Sequence, residues 1–312
     1  MSDLAAALTA AFGADRVAAN APLAPLTTFK VGGPADLLIE THTGEEIVAA
    51  LKAAHAHGAP VTMLGGGSNV LIGDRGIRGL VIRPRCGEVH PVGDRLVRAD
   101  AAVTINGLVR WTINRGYAGL EAWAGTPGTV GGAVFGNAHW KSTNIGDLID
   151  SVRLARRDGT LLQAPADRMD FAYDASRLKR SGEVAIWVAF KVTAGADPAA
   201  LRAVARESLA FRKRTQPLES PSAGCIFMNP DQARDRVPDG IPPSAGALVD
   251  RAGLKGVALG GARVSPTHAN FIINNGAATA ADIKSLIERC RAGVEERFGV
   301  ALRDEIMMLG DF

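Results

Sequence analysis

A chain of 312 residues with 47% hydrophobic side chains can bury a sizeable core and build two or three lobes, because single cores rarely grow beyond ~250 residues. Its formal net charge of +3 does not indicate a nucleic-acid binder, and no run of about twenty apolar residues could span a membrane. Its three cysteines, Cys86, Cys225 and Cys290, are odd in number, widely spaced and without a Cys-x-x-Cys pair, which excludes a disulfide framework or a zinc knuckle and fits a reducing, cytoplasmic setting.

In chain order, Met1 to Phe12 lacks a basic leader and reads as a short helix rather than a signal peptide. A strand over Asp36 to Glu40 precedes Thr43-Gly44-Glu45-Glu46, a capping box, after which Ile47, Ala50, Leu51 and Ala54 repeat at helical spacing until Gly58. A short strand from Val61 to Leu64 then leads into Gly65-Gly66-Gly67-Ser68-Asn69. Thr104 to Arg115 is again helical, closed by Gly116, and a second glycine-rich stretch follows at Gly125-Thr126-Pro127-Gly128-Thr129-Val130-Gly131-Gly132. Beyond Ser151 the pattern is β-like, with strands over Val152 to Ala155 and Val184 to Val192, and Pro198 marks a helix start and a boundary. Leu201, Val204, Ala205 and Leu209 form the apolar spacing of that helix, and its basic end, with Arg206, Arg212 and Lys213, reads as a solvated face or a phosphate contact. Cys225 to Pro230 reads as a strand between two loops, and Asp282 to Phe298 as a helix burying Ile283, Leu286, Ile287, Cys290, Val294 and Phe298.

Both glycine stretches have the makings of phosphate-binding loops. Glycine lets a backbone N–H approach an anion and adopts positive φ, and Ser68, Thr126 and Thr129 add hydroxyl donors. Tight turns between strands are the plainer reading of either alone. Neither stretch is followed by Gly-Lys-Ser/Thr, and neither has the Gly-x-Gly-x-x-Gly spacing, so a dinucleotide cofactor would be held by another kind of fold.

Thr28 to Ala35, Leu64 to Leu71, Gly125 to Ala133, Ser222 to Cys225, Leu254 to Gly256, His268 to Phe271 and Leu302 to Gly310 together resemble the UDP-N-acetylenolpyruvoylglucosamine reductase family, block after block in the family's order. The short spacing between Tyr173 and Cys225 resembles the family's second type, which lacks an extra loop over the substrate. The resemblance implies an α+β protein: an FAD-binding fold of the vanillyl-alcohol-oxidase kind, made of two α+β subdomains over residues 1–196 with a break near 60–100, plus a C-terminal α+β substrate-binding domain over 197–312 whose last strand returns to the active site. It implies FAD and NADPH as cofactors and a nucleotide-sugar substrate in peptidoglycan precursor synthesis. It also implies a cytoplasmic monomer without nucleic-acid or membrane partners.

By the same resemblance, Gly65, Gly66, Gly67, Ser68 and Asn69 would hold the pyrophosphate, and Gly125, Thr126, Gly128, Thr129, Gly131 and Gly132 would run along the flavin and its phosphates. Cys225 stands where the family's Gly-Ser-x-Phe-Lys-Asn-Pro block has its proton-donating serine; without the block it would read as a small buried cysteine. Glu305 matches the catalytic glutamate of the last strand, and Tyr173, Asn229, His268 and Asn270 fall where substrate is contacted, His268 equally suiting a structural role. The sharpest departure is Asp174, where the family has the arginine of Tyr-Arg-x-Ser. The base that replaces it would be Arg177, Lys179 or one from Arg212 to Arg214, oriented by Asp174. Met228 in place of lysine and Ala138-His139-Trp140 after Asn137 depart as well. A same-fold flavoenzyme acting on another nucleotide sugar or a small alcohol, or a non-catalytic FAD-binding protein, are the alternatives.

Overall fold

The computed structural model describes residues 1–85 and 87–312, so Cys86 lies outside the described residues. The chain folds as two units: the first comprises 1–21, 35–66 and 78–211, the second 22–34, 67–77 and 212–312. Among the described residues no helix is long and apolar enough to cross a membrane.

The first unit holds two sheets. Val17–Pro22, Pro34–Thr41, Ile77–Pro84 and Val61–Met63 lie side by side in that order, the last pair parallel with Val61 opposite Leu80. Helix α1 (Ser2–Phe12) and helix α2 (Gly44–Ala56) close a core of Leu4, Leu8, Ile39, Leu51, Leu80 and Ile82. Thr43 caps α2 as expected, its hydroxyl accepting from Glu46 N–H at 3.2 Å. The reciprocal half of the box is displaced by one residue: the Glu46 carboxylate accepts from His42 N–H and pairs with Arg16, whose hydrogen bond holds Glu46 down at about 2.

The second sheet is antiparallel throughout, in the order Leu161–Pro165, Ile149–Ala155, Val184–Lys191, Leu96–Asp100, Val89–Val92. Helix α3 (Ile105–Asn114) and helix α4 (Val130–Phe135) pack into its core around Leu108, Trp123, Val134, Val188 and Phe190. A one-turn helix α5 (Leu178–Ser181) precedes the strand at Val184, and helix α6 (Pro198–Thr215) follows the sheet. The expected apolar face of α6 is corrected here. Leu201, Ala205, Ser208 and Arg212 are buried, whereas Val204 and Leu209 are exposed. Helical spacing admits either stripe, and Leu201 and Ala205 join the core that decides between them.

In the second unit, helix α7 (Ala245–Arg251) and helix α8 (Ala280–Phe298) pack with a small antiparallel sheet of Ala258–Leu259, Ala262–Val264 and Ile272–Asn274. Cys290 is buried in that core, as its helical spacing predicts. A separate parallel pair joins Met307–Leu309 to Val70–Ile72. Asp74, next along the chain from that pair, accepts from Ala280 and Ala281 N–H at 2.8 and 2.9 Å, adding a second cap to the Thr279 box at the start of α8. Asp74→Ala is therefore expected to lose about 1–2 kcal/mol of stability in urea unfolding; a change near zero would show that the Thr279 box alone suffices.

Two further expectations are corrected in this unit. Cys225 to Pro230 is not a strand; it makes one bridge, between Phe227 and Asp304. Its other side is satisfied by Asn270, whose backbone C=O accepts from Ile226 N–H and whose side-chain amide takes both polar groups of Phe227, in place of a neighbouring strand. The last strand begins at Met307, so Glu305 lies just before it rather than within it.

Candidate active site

In the first unit the two glycine stretches meet. A Cβ on Gly66 would lie 2.8 Å from Gly128 Cα, and one on Gly65 would lie 2.6 Å from Thr129 Oγ1, so glycine is required at both positions by contact between the loops as well as by any anion. Gly125 and Gly128 have φ of 82° and 96°, a conformation that side chains with a Cβ rarely adopt. Thr104, at the cap of α3, bridges to Thr129, and Ile105 N–H donates to Gly128 O. Thr129 caps α4, accepting from Gly132 N–H, and Gly131 N–H is committed to Ala101 O. Thr126 is buried, its N–H donating to Trp123 O.

Sequence reasoning missed Asn106. Its side-chain oxygen accepts from Gly125 N–H at 2.7 Å and its amide donates to Thr126 O at 3.3 Å, clamping the start of the second loop. The available signal was an asparagine, a residue that competes for nearby backbone groups, in the first turn of a helix capped by Thr104. Asn106→Ala is expected to weaken FAD binding to the apoprotein about tenfold, the loss of two hydrogen bonds of ~0.5–1.5 kcal/mol each; a titration matching wild type would remove the clamp from the account of this loop.

The same unit carries Tyr173 and Asp174 at the tip of a two-residue turn, where Ala172 and Ala175 exchange both backbone hydrogen bonds. Asp174 has a φ of 49°, a left-handed conformation that aspartate tolerates better than arginine. Asn137, itself at a φ of 45°, holds the turn by donating to Ala172 O and accepting from Gly146 N–H. The Asp174 carboxylate, pushed up by burial and drawn back by Lys179, accepts from Lys179 Nζ at 2.9 Å. Arg177 is engaged elsewhere, in a two-pronged pair with Glu183 at 2.7 and 2.8 Å. Tyr173 is 39% exposed and its ring tilts against His139.

In the second unit, Gly67 has a φ of 62° and its C=O accepts from Thr28 N–H and the Thr28 hydroxyl. Asn69 directs its side chain to Glu305 O. Among the described residues, no protein acceptor takes the backbone N–H of Gly65, Gly66, Gly67, Ser68 or Asn69, or of Gly128 and Thr129 in the second stretch. Consecutive N–H donors left to an outside acceptor suit a diphosphate, so the run Gly67, Ser68 and Asn69 within this unit fits the pyrophosphate of FAD.

Cys225 is partly exposed, and burial of its thiol pushes it well above the usual thiol range, with Glu305 adding to the rise. The Asn270 side chain and the charge of Arg212 pull the other way. Arg212 is 6% exposed and is brought down to about 10 by that burial. Cys225, Arg212, Glu305 and Asn270 thus form one electrostatic cluster. Asn229 and His268 are set at α7: Asn229 Oδ1 accepts from Ala245 N–H at 3.1 Å, and His268 lies against Gly246. His268 Nδ1 accepts from Asn270 N–H at 3.2 Å, which braces Asn270, and burial lowers the pKa of the ring.

The chain is a flavin-dependent oxidoreductase with the FAD-binding fold of the vanillyl-alcohol-oxidase kind. Residues 35–164 match the FAD binding domain and residues 216–309 the UDP-N-acetylenolpyruvoylglucosamine reductase C-terminal domain. UDP-N-acetylenolpyruvoylglucosamine reductases of Heliobacterium modesticaldum and Anaeromyxobacter dehalogenans are 38% and 41% identical, over 93% and 94% of this chain and 90% and 85% of theirs. The crystal structure of the Thermus caldophilus enzyme (MurB) superposes with a TM-score of 0.76 at 32% identity, covering 93% of this chain and 97% of that one. The chain belongs to the UDP-N-acetylenolpyruvoylglucosamine reductase family.

Proposed function

We propose that this enzyme reduces UDP-N-acetylglucosamine enolpyruvate to UDP-N-acetylmuramate with NADPH, through FAD, in peptidoglycan precursor synthesis in the cytoplasm, and that it does so as a monomer without nucleic-acid or membrane partners. The observation that carries the reading is the grouping of Cys225 with Glu305, Arg212 and Asn270, in a chain whose family relatives match it over more than nine-tenths of its length. Residues 1–196 are assigned to cofactor binding, and 197–312 to the substrate.

Bound FAD supplies the chemistry of accepting a hydride from the nicotinamide and passing it to the enolpyruvyl double bond. Gly65 to Asn69 would hold its pyrophosphate through their backbone N–H groups, and Gly125 to Gly132 would run along the flavin and its phosphates. Cys225 Sγ–H gives a proton to the carbon next to the one that gains hydride, so one hydride and one proton saturate the double bond and the thiolate is reprotonated from solvent. Glu305 holds the reacting end of the substrate. Arg212, whose charge acts on Cys225, faces the substrate carboxylate in place of the missing arginine. Asn229 contacts the sugar nucleotide, Asn270 instead holds the Cys225 segment through Phe227, His268 supports Asn270, and Tyr173 offers its exposed ring.

A stopped-flow trace of flavin absorbance tests the reading. The enzyme, reduced anaerobically by one equivalent of NADPH and mixed with UDP-N-acetylglucosamine enolpyruvate, is expected to reoxidise rapidly. Reduction without reoxidation would assign the flavin site to another substrate.

A further inference from the structure

Glu305 stands at a junction between two pairings. Before it, the chain pairs with residues 226–228: Met228 N–H donates to Arg303 O at 2.9 Å, and Glu305 N–H donates to Ile226 O at 2.8 Å. From Met307 onward the chain pairs instead with Val70–Ile72. The Glu305 carbonyl lies between the two pairings.

Asn69 bridges that junction. Its backbone C=O accepts from Met307 N–H at 2.9 Å, and its side-chain amide donates to Glu305 O at 3.1 Å, so a single residue spans Ile306 and holds both sides of it. The two residues are 236 positions apart in sequence. Meanwhile the Asn69 and Ser68 N–H groups have no protein acceptor among the described residues. The side chain and carbonyl of Asn69 therefore serve the carboxylate segment, and only its N–H is left for an anion.

We propose that Asn69 is a positioning residue for Glu305, acting through the Glu305 carbonyl, rather than a side-chain ligand of the cofactor. The proposal rests on the reading of Glu305 as the carboxylate that holds the reacting end of the substrate. Releasing the Glu305 peptide lets the carboxylate drift, and a displacement of about 1 Å in a reacting geometry is enough to slow a step on the order of 10²-fold. The effect belongs to the step in which substrate reacts, not to the one in which NADPH does.

The test uses the FAD-loaded enzyme with Asn69→Ala and with Asn69→Asp, which keeps the size and removes the donor. Three quantities are read: FAD affinity of the apoprotein by flavin fluorescence, the limiting rate of flavin reduction by NADPH, and the limiting rate of reoxidation by UDP-N-acetylglucosamine enolpyruvate. In both variants FAD affinity and reduction are expected to stay within about twofold of wild type, while reoxidation slows about 10- to 100-fold. A tenfold loss of FAD affinity with reoxidation intact at saturating FAD would overturn the proposal and make Asn69 a cofactor ligand. Equal slowing of both half-reactions would overturn it in favour of a general structural role, and so would two variants indistinguishable from wild type. If alanine prevents folding, the aspartate variant decides alone. Failure of the wild type itself to reoxidise would overturn the parent reading instead, and is seen before any variant is made.

Discussion

Cys225→Ala is expected to slow reoxidation of the reduced enzyme by UDP-N-acetylglucosamine enolpyruvate by about 10²–10⁴-fold, the usual contribution of a positioned general acid, while flavin reduction by NADPH stays near wild type. Hydride addition to the enolpyruvyl double bond leaves charge on the neighbouring carbon, and a donor must hold its proton until that moment. An unperturbed thiol, with a pKa of about 8.5, would already be half ionised at pH 8.5. Cys225 is not in that position, because burial and the nearby Glu305 both push it up. The donor is active in its protonated form, so its contribution is complete below the raised pKa and is lost only above it. Reoxidation is accordingly expected to show no thiol-linked fall between pH 7 and 9, and the enzyme to react slowly with iodoacetamide, which needs the thiolate. Cys225→Ser retains an O–H donor and should recover much of the alanine loss. Stopped-flow traces of both half-reactions check this: equal losses in the two would make Cys225 a packing residue, and a rate that halves near pH 8.5 would mean the thiol is not held up by its surroundings.

What could be read from the sequence was what short-range physics decides. Thr43, Thr104 and Gly299 announce helix ends by chemistry that acts within a turn, and α2, α3 and α8 lie where those residues put them. The glycine stretches were legible for a related reason: positive φ at Gly67, Gly125 and Gly128 leaves few other residues able to stand there. The strand expected at Cys225 failed because Cys-Ile-Phe has strand-like composition whatever its neighbours are, and here one neighbour is a single asparagine side chain. The stripe on α6 failed because period alone does not choose between Val204 and Ser208. Asn69 carries no local signature of its work, since its partner at Glu305 is brought to it by the fold. Nor does spacing announce that Arg177 pairs with Glu183 and Lys179 with Asp174.

Lys179→Met is expected to destabilise the protein by about 3 kcal/mol at pH 7.5, because it strands a carboxylate that the fold has already desolvated. The Asp174 side chain is 9% exposed and that of Lys179 20%, so water cannot replace the lost partner. Protonating Asp174 limits the damage: at ~1.36 kcal/mol per pH unit over the roughly three units between neutrality and an ordinary aspartate pKa of ~3.9, the loss cannot exceed about 4–5 kcal/mol. Burial raises the folded pKa of Asp174, so the folded state binds this proton more tightly than the unfolded chain. That contribution to stability is complete below the unfolded pKa and is lost as pH rises through the folded one. Removing Lys179 takes away the hydrogen bond that opposes the rise, which extends the window toward neutrality. Urea unfolding should thus find Lys179→Met far closer to wild type at pH 4.5 than at pH 7.5, and Asp174→Asn in the same chain should restore most of the loss at pH 7.5. A deficit independent of pH, or one the double variant does not repair, would mean that Lys179 acts through packing over Phe135 instead. Asp174→Arg, which recreates the family's Tyr-Arg-x-Ser, should destabilise the protein: arginine at a φ of 49° costs about 1–2 kcal/mol, and it would face Lys179 with like charge. Asp174 is thus bound to its turn and its lysine.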